Sequence, residues 1–282
     1  KFYGPTTLRK GIEYSRNLMT VRIAKILGLN KILDLSKKLN VYEEIPELLS
    51  VSLGAAETSL INLTSAYAPF VNGGIKIEPK LISRIQDRRG KTIFRIKSRE
   101  CLGCDKFINE SSEYPIIKNL NERVISEETA YQMVTILNGA VERGTAKKLK
   151  SLKVPIAGKT GTTNDNYDAW FIGFTSNLVV GVYIGFDNPK TLGKFETGSK
   201  AALPVFKDFI ENSLFKEDFD EFKIPENIYL TSLNYDTGQK STSGDKNIII
   251  EALKLKDINN IDKNNLISIN DRDTLIKFRQ FY

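Results

Sequence analysis

The chain has 282 residues, which is enough for one large domain or two of ordinary size. Its residues are 41% hydrophobic, 10% aromatic and 27% charged, and this composition excludes a chain that is disordered throughout. The net charge is +7, but the lysines are spread along the sequence without a dense basic block. We therefore expect no nucleic-acid partner.

The sequence contains no histidine. A Ser-His-Asp triad, a Cys-His pair and every histidine-ligated metal site are therefore excluded within this chain. Lysine, carboxylate, tyrosine or water must carry any proton transfer, and we expect neither a metal nor a cofactor. No run of 18 apolar residues is present to predict a membrane span.

The start of the chain predicts helices almost at once. Residues 1–5 lack an initiator methionine, so we expect the chain to be the C-terminal part of a longer protein. Apolar residues over 6–29 recur at helical spacing and predict two helices with a break near Ser15 to Asn17.

Further along, alternating helical and extended patterns predict a mixed fold. In chain order, the patterns predict a helix over 58–71 capped by Thr58, a hairpin with strands at 81–85 and 92–96, a helix from Ser126 to Val141, strands at 154–162, 169–175 and 178–186, and a helix over 199–215. The short turn Ser176-Asn177 makes the last two strands antiparallel. Trp170 and Phe171 stand beside the Lys159 strand and could line a cleft, but aromatic residues in a central strand are typical of the core, which is the interpretation we favour.

Helices on either side of an antiparallel sheet predict an α+β fold. We expect one domain over residues 1–222, with a hairpin and cysteine-loop insertion near 76–120. Residues 223–282, rich in Asn, Asp, Lys and Ile, are expected to form a small β-rich or loosely ordered extension.

The strongest chemical signal is Lys159-Thr160-Gly161-Thr162-Thr163. An ammonium and neighbouring hydroxyls can hold a carboxylate, and glycine allows a substrate backbone to approach closely. A phosphate-binding loop would need glycine at position 153, where lysine stands. By itself, this motif is equally consistent with an ordinary strand and turn.

Ser15-Arg16-Asn17 is the second signal, because a serine and an asparagine at a helix break can face one cleft. Serine can relay a proton and asparagine can hydrogen-bond an amide. Helix capping is the alternative interpretation, and the same Ser-x-Asn spacing recurs at 232–234 and 268–270.

Cys101 and Cys104 are the only cysteines. A zinc site would need two further ligands, and a redox pair would be expected at a strand-to-helix turn rather than in a polar loop after a hairpin. A structural disulfide is the favoured interpretation, with two free thiols as the alternative.

Taken together, the motifs follow the order Ser-x-Asn then Lys-Thr-Gly that is typical of penicillin-binding proteins and class A β-lactamases. The chain resembles the transpeptidase domain of bifunctional class A penicillin-binding proteins, of the type 1A kind. Five stretches carry the resemblance: 4–10 (GPTTLRK), 15–22 (SRNLMTVR), 159–163 (KTGTT), 168–174 (DAWFIGF) and 198–204 (GSKAALP).

The resemblance implies a fold and a reaction. A serine of the family attacks the D-Ala-D-Ala end of a peptidoglycan stem peptide, D-alanine leaves, and an amine of a neighbouring stem takes the acyl group. The implied roles are proton transfer for Ser15, amide binding for Asn17, electrostatics and carboxylate anchoring for Lys159, carboxylate binding for Thr160 and Thr162, an oxyanion-hole N–H for Thr162, and substrate binding by the adjoining Gly161 and Thr163. The two distant segments are expected to converge.

One element of the family pattern is absent. The nucleophile motif Ser-x-x-Lys should precede Ser15, and the fourteen residues before it contain none. Matches at 213–216 and 243–246 follow Lys159, which is the wrong order. We therefore expect this chain alone not to be acylated by a β-lactam.

Two alternatives to the transpeptidase remain open: a D,D-carboxypeptidase or β-lactamase-like hydrolase, and an inactive module that binds stem peptides or a partner. The resemblance also implies β-lactams as ligands of the intact protein, an upstream glycosyltransferase domain, and a periplasmic location with an inner-membrane helix outside this chain.

Overall fold

The structure is a computed structural model, which describes residues 3–4, 6–42, 44–104, 114–213, 219–255 and 266–267. The α-helices are α1 (Leu8–Glu13), α2 (Asn17–Leu27), α3 (Leu29–Lys38), α4 (Leu60–Val71), α5 (Glu127–Glu142) and α6 (Ala202–Ser213). The strands are β1 (Arg84–Gln86), β2 (Thr92–Arg95), β3 (Arg99–Leu102), β4 (Ile116–Asn119), β5 (Ala157–Thr162), β6 (Ala169–Phe174), β7 (Val179–Ile184), β8 (Ile228–Asn234), β9 (Ile248–Lys254) and β10 (Leu266–Ile267). None of the helices in these ranges is long and apolar enough to cross a bilayer.

The central sheet has the order β5-β6-β7, and both pairings are antiparallel. The antiparallel pairing of β6 and β7, predicted from the short turn at 176–177, is therefore confirmed. Helices α4 and α5 cover one face, where Ala157 and Phe174 are fully buried. Helix α6 covers the other face, where Phe206 packs edge-on against Phe171 with ring centroids 4.9 Å apart. The predicted α+β architecture is confirmed.

The predicted helices exist, with differences at their ends. Ser59 caps α4 by accepting a hydrogen bond from the Asn62 amide at 3.1 Å, so the expected cap at Thr58 is wrong. The Thr58 hydroxyl instead donates to the Val41 carbonyl. The predicted pattern to residue 29 missed α3, which begins directly after Gly28, where φ is +86°. Residues 214 and 215 of the last predicted helix lie outside the described residues.

The segment from 84 to 119 forms two separate antiparallel hairpins, β1-β2 and β3-β4. Cys101 lies within β3, so the expected polar loop is wrong at this position. Cys101 and Cys104 are joined in a disulfide with their Cα atoms 5.7 Å apart, which is the pairing that the favoured interpretation describes. Part of the loop, residues 105–113, lies outside the described residues.

The C-terminal extension has a sheet of its own, with the order β10-β8-β9. Ile228, Leu230 and Ala252 form its buried centre. The sheet packs on α5, where the Gln132 side chain donates to the Ala252 carbonyl at 2.9 Å. The β-rich character expected for this extension is therefore present through Lys254.

Candidate active site

The two predicted motifs meet at one contact. The Lys159 ammonium donates a hydrogen bond of 2.7 Å to the Ser15 hydroxyl, although 144 positions separate the two residues in the sequence. It also donates to the Thr160 carbonyl at 2.8 Å. The expected convergence of the two segments is thereby confirmed, and it places an amine and a hydroxyl at one edge of the central sheet.

Ser15 projects from a sharp turn between α1 and α2. Its φ is +52°, a left-handed conformation that a residue other than glycine adopts at a cost of roughly 1–2 kcal/mol. Backbone hydrogen bonds hold the turn, from the Ser15 amide to Ile12 at 3.0 Å and from the Arg16 amide to Gly11 at 2.8 Å. The hydroxyl is therefore held toward β5 by a conformation that the surrounding chain enforces.

Lys159 reaches Ser15 because of the alternation of side chains along β5. Its cross-strand partner is Ile172, on the face covered by α4 and α5. Burial lowers the pKa of Lys159 from 10.5 to about 8. Near neutral pH the amine can therefore bind an anion as ammonium, the role expected of it, and can also exchange a proton with Ser15.

The hydroxyls of the same motif lie on the opposite face of β5. Thr160 Oγ1 lies 3.0 Å from Thr145 Oγ1, and Thr162 Oγ1 accepts a hydrogen bond of 3.0 Å from the Gly198 amide. The Thr162 hydroxyl keeps its own proton for donation to a ligand. At Thr163, Oγ1 accepts from the Asp168 amide at 2.8 Å and closes the turn between β5 and β6.

Glycines allow the strand edge and the segment near residue 198 to approach closely. A β-carbon at Gly198 would overlap the backbone carbonyls of Gly161 and Trp170. A β-carbon at Gly161 would lie 3.1 Å from that of Trp170. The start of the 198–204 stretch is thereby held against the end of β5, so this stretch borders the same edge.

Asn17 is the first residue of α2, two positions after Ser15, and its side chain is exposed. Within the described ranges, no group hydrogen-bonds its amide. The structure places Asn17 beside Ser15 on the same turn, with its hydrogen-bonding groups open to a ligand.

The two aromatic residues of β6 differ in environment. Phe171 is fully buried, as predicted, whereas Trp170 is half-buried. The Trp170 ring lies 4.6 Å from that of Tyr183, and the Tyr183 hydroxyl donates to Asp168 at 2.9 Å. Trp170 therefore belongs to the border of the sheet rather than to its core.

Sequence reasoning missed Thr145 and Glu13. Thr145 touches Thr160 through its hydroxyl and donates its amide to the Glu13 carbonyl at 3.2 Å. Nothing in the sequence pattern around residue 145 signals this contact. Glu13 carried a weak signal, since it is a charged residue two positions before the predicted break.

The matching family is described as the penicillin binding protein transpeptidase domain, and the match covers residues 1–211. Penicillin-binding protein 1A of Rickettsia conorii is 40% identical over 280 residues, covering 99% of this chain and 35% of that protein. The protein of the same name in Pseudomonas aeruginosa is 29% identical, covering 91% of this chain and 35% of that protein. The chain thus spans about a third of the length of these relatives.

Solved structures give the same result for the fold. Penicillin-binding protein 1A from Haemophilus influenzae aligns with a TM-score of 0.75 and 29% identity, covering 89% of this chain and 40% of that chain. A Mycobacterium tuberculosis protein solved in complex with penicillin V aligns with a TM-score of 0.61 and 18% identity, covering 80% of this chain and 60% of that chain.

Proposed function

This chain belongs to the penicillin-binding protein transpeptidase domain family, and from that premise we propose that it forms the substrate-anchoring side of a serine D,D-transpeptidase site. In the intact protein this site cross-links peptidoglycan stem peptides that end in D-Ala-D-Ala. β-Lactams occupy the same site. The observation that carries the proposal is the 2.7 Å hydrogen bond between Lys159 and Ser15.

Each residue has a task in this reaction. The Lys159 ammonium anchors the terminal carboxylate of the stem peptide. Because β5 is an edge strand of the central sheet, the Thr160 and Thr162 hydroxyls on its other face, with the adjoining Gly161 and Thr163, complete that subsite across the strand edge. The backbone N–H of Thr162 stabilises the oxyanion, a contact worth about 3–4 kcal/mol in barrier height. Asn17 holds the amide on the acyl side of the scissile bond.

Proton transfer runs through Ser15. When the nucleophile's oxygen bonds to the carbonyl carbon, the bond from that carbon to the nitrogen of the last D-alanine breaks, and the leaving amine needs a proton. The Ser15 hydroxyl donates it and is reprotonated by the Lys159 ammonium that is hydrogen-bonded to it; with a pKa of about 8, Lys159 can release that proton near neutral pH. The proton lost by the nucleophile's hydroxyl goes to the lysine of its own Ser-x-x-Lys motif, outside this chain. No histidine is needed, in keeping with the composition.

The nucleophile is supplied from outside this chain, by a Ser-x-x-Lys motif that precedes it. The acceptor amine of a neighbouring stem then completes the cross-link. The site works in the periplasm of a bacterium, with the protein held at the inner membrane by a helix outside this chain.

A fluorescent penicillin tests the proposal. The full gene product should become covalently labelled, whereas the 282-residue chain alone should not. Lys159→Met and Ser15→Ala should each lower the second-order acylation constant of the full gene product by about 100-fold or more, which is the range typical of lost general acid–base groups. Lys148→Met, at an exposed lysine on the surface, is the matched control and should leave the constant unchanged.

Product analysis separates transfer from hydrolysis. With stem-peptide donor and acceptor, the full gene product should release D-alanine and form a cross-linked dimer. Release of D-alanine without a dimer would instead indicate a carboxypeptidase, and absence of both labelling and release would indicate a binding module.

A further inference from the structure

A fully buried carboxylate lies two residues before Ser15. Glu13 has no exposed surface, and its oxygens accept hydrogen bonds from Arg143 at 2.7 and 3.2 Å and from the Tyr235 hydroxyl at 2.6 Å. A buried charge is tolerated only when it is paired and hydrogen-bonded. These partners therefore fix the position of Glu13.

Two glycines of the segment after Glu127 leave room for this residue. A β-carbon at Gly139 would overlap the Glu13 carboxylate, and one at Gly144 would overlap the Glu13 backbone carbonyl. Helix α5 therefore packs closely on the Glu13 side chain at Gly139, and the turn after α5 packs closely on the Glu13 backbone at Gly144.

The C-terminal sheet and the loop after β8 supply further partners to Glu13 and to Arg9 of α1. Tyr235 follows β8, and Glu251 lies in β9. Glu251 accepts two hydrogen bonds from the guanidinium of Arg9, which is 6% exposed. Burial alone would lower the pKa of Arg9, but the hydrogen bond with Glu251, the charge of Glu251 and the charge of Glu13 outweigh it and raise that pKa above its ordinary value.

The loop that follows β8 also contacts the start of the chain around α1. The Lys10 ammonium forms a 2.6 Å ion pair with Asp236, and the Thr7 hydroxyl contacts the Tyr235 carbonyl at 3.5 Å. Helix α1 has only six residues, and a helix this short is not stable without tertiary contacts. Its position is therefore determined by what it is bonded to.

Two short paths lead from Glu13 to the site. Along the chain, Glu13 is two residues from the left-handed Ser15. Across the fold, its carbonyl accepts from the Thr145 amide, and the Thr145 hydroxyl contacts Thr160 on β5. A displacement of Glu13 would therefore shift both the serine and the strand that carries Lys159.

From this arrangement we infer that Glu13 is a positioning residue and that the C-terminal sheet, through Tyr235 and Glu251, holds Ser15 in line with Lys159. The inference rests on the proposed function for its catalytic consequence. By this inference the extension after residue 222 contributes to the transpeptidase site, because its contacts hold α1 in position.

The test removes one hydroxyl from each of two tyrosines. Tyr235→Phe deletes the hydrogen bond to Glu13 and keeps the ring. Tyr229→Phe in β8 is the matched control, because no described group hydrogen-bonds the Tyr229 hydroxyl. We expect Tyr235→Phe to lower the acylation constant of the full gene product by about tenfold, within the range for losing a hydrogen bond to a charged group, and Tyr229→Phe to leave it unchanged.

A second measurement does not depend on acylation. In the 282-residue chain, NMR titration of the Lys159 side chain reports how well Ser15 and its turn shield the amine. In Tyr235→Phe the loosened turn should admit water and raise the pKa of Lys159 from about 8 toward its ordinary value, whereas Tyr229→Phe should not.

The two measurements separate the inference from the proposed function. If folded Tyr235→Phe matches Tyr229→Phe in acylation and in the Lys159 titration, the C-terminal sheet does not position Ser15. If the unmodified gene product is not acylated at all, the proposed function fails, and the Lys159 titration still decides the inference.

Discussion

The carboxylate of Glu13 occupies the space that a side chain at Gly139 would need. The two residues belong to α1 and α5, which are far apart in the sequence and pack together in the fold. The absence of a side chain at one position therefore makes the buried charge at the other possible. By the inference above, the position of Ser15 depends on this fit, because Ser15 follows Glu13 by two residues.

Gly139→Ala should accordingly be destabilising. The added methyl group must push the carboxylate away from Arg143, so we expect the free energy of unfolding to fall by about 1–3 kcal/mol, as for other overpacked interiors. Urea denaturation of the 282-residue chain measures the change. Gly244→Ala is the control, because its β-carbon would meet open space, and its effect should stay within about 0.5 kcal/mol. Equal stability of the two variants would show that Glu13 can move without cost.

The two ion pairs between α1 and the C-terminal sheet should differ in strength. Arg9 and Glu251 are 6% and 17% exposed, whereas Lys10 and Asp236 are 27% and 45% exposed. Glu251→Gln leaves the buried guanidinium of Arg9 without the negative charge of its partner, so we expect the free energy of unfolding to fall by about 3 kcal/mol. Asp236→Asn should change the free energy of unfolding by less than about 1 kcal/mol, because solvent screens an exposed pair. Similar losses in the two variants would contradict this ranking.

Much of the central fold could be predicted from local patterns. The strands around 157–184 and their antiparallel order follow from extended runs joined by a two-residue turn at 176–177. The break at residue 15 also follows, because helical spacing stops there. The start of α3 was missed because Gly28 usually ends a helix, and here one helix ends and the next begins at the same residue. Local rules do not tell whether a chain resumes its helix after such a turn.

Sequence motifs single out the candidate residues of the site but not the residues that hold them in place. Ser15 and Lys159 stand out as motifs, and the structure joins them. Glu13 and Tyr235 do not, because their importance comes from a hydrogen bond between positions 222 residues apart. The sequence likewise does not predict the contact between the Thr160 and Thr145 hydroxyls. That contact depends on the alternation of side chains along β5 and on how the segment around residue 145 packs against it.

The disulfide should matter locally and not at the site. Cys101 and Cys104 lie in the β3-β4 hairpin, whose strands are exposed along their length. Closing so short a loop contributes about 2 kcal/mol at most by chain entropy. Cys101→Ser with Cys104→Ser should therefore leave the acylation constant of the full gene product unchanged. Thiol labelling of the unmutated chain in denaturant should detect two thiols after reduction and none before it. Labelling without reductant would contradict the Cys101–Cys104 pairing.

Binding of a peptide ending in D-Ala-D-Ala should depend on pH through Lys159. Burial lowers the pKa of this amine to about 8, so the ammonium that attracts the carboxylate is present below pH 8 and is lost as the pH rises through that value. The dissociation constant for the 282-residue chain should therefore rise by about tenfold between pH 7 and pH 9. Calorimetric or NMR titration at several pH values measures it.

Two controls isolate the charge responsible for this dependence. Lys148→Met should keep the pH dependence of the unmodified chain, whereas Lys159→Met should bind weakly and to the same extent at pH 7 and pH 9. A peptide with a terminal carboxamide in place of the carboxylate should also bind the unmodified chain weakly, with the same dissociation constant at pH 7 and pH 9. Both changes have this effect because each removes one partner of the same ion pair. A dissociation constant that stays level from pH 7 to pH 9 in the unmodified chain would mean that another group holds the carboxylate, since no other change in this pH range removes a cation from β5.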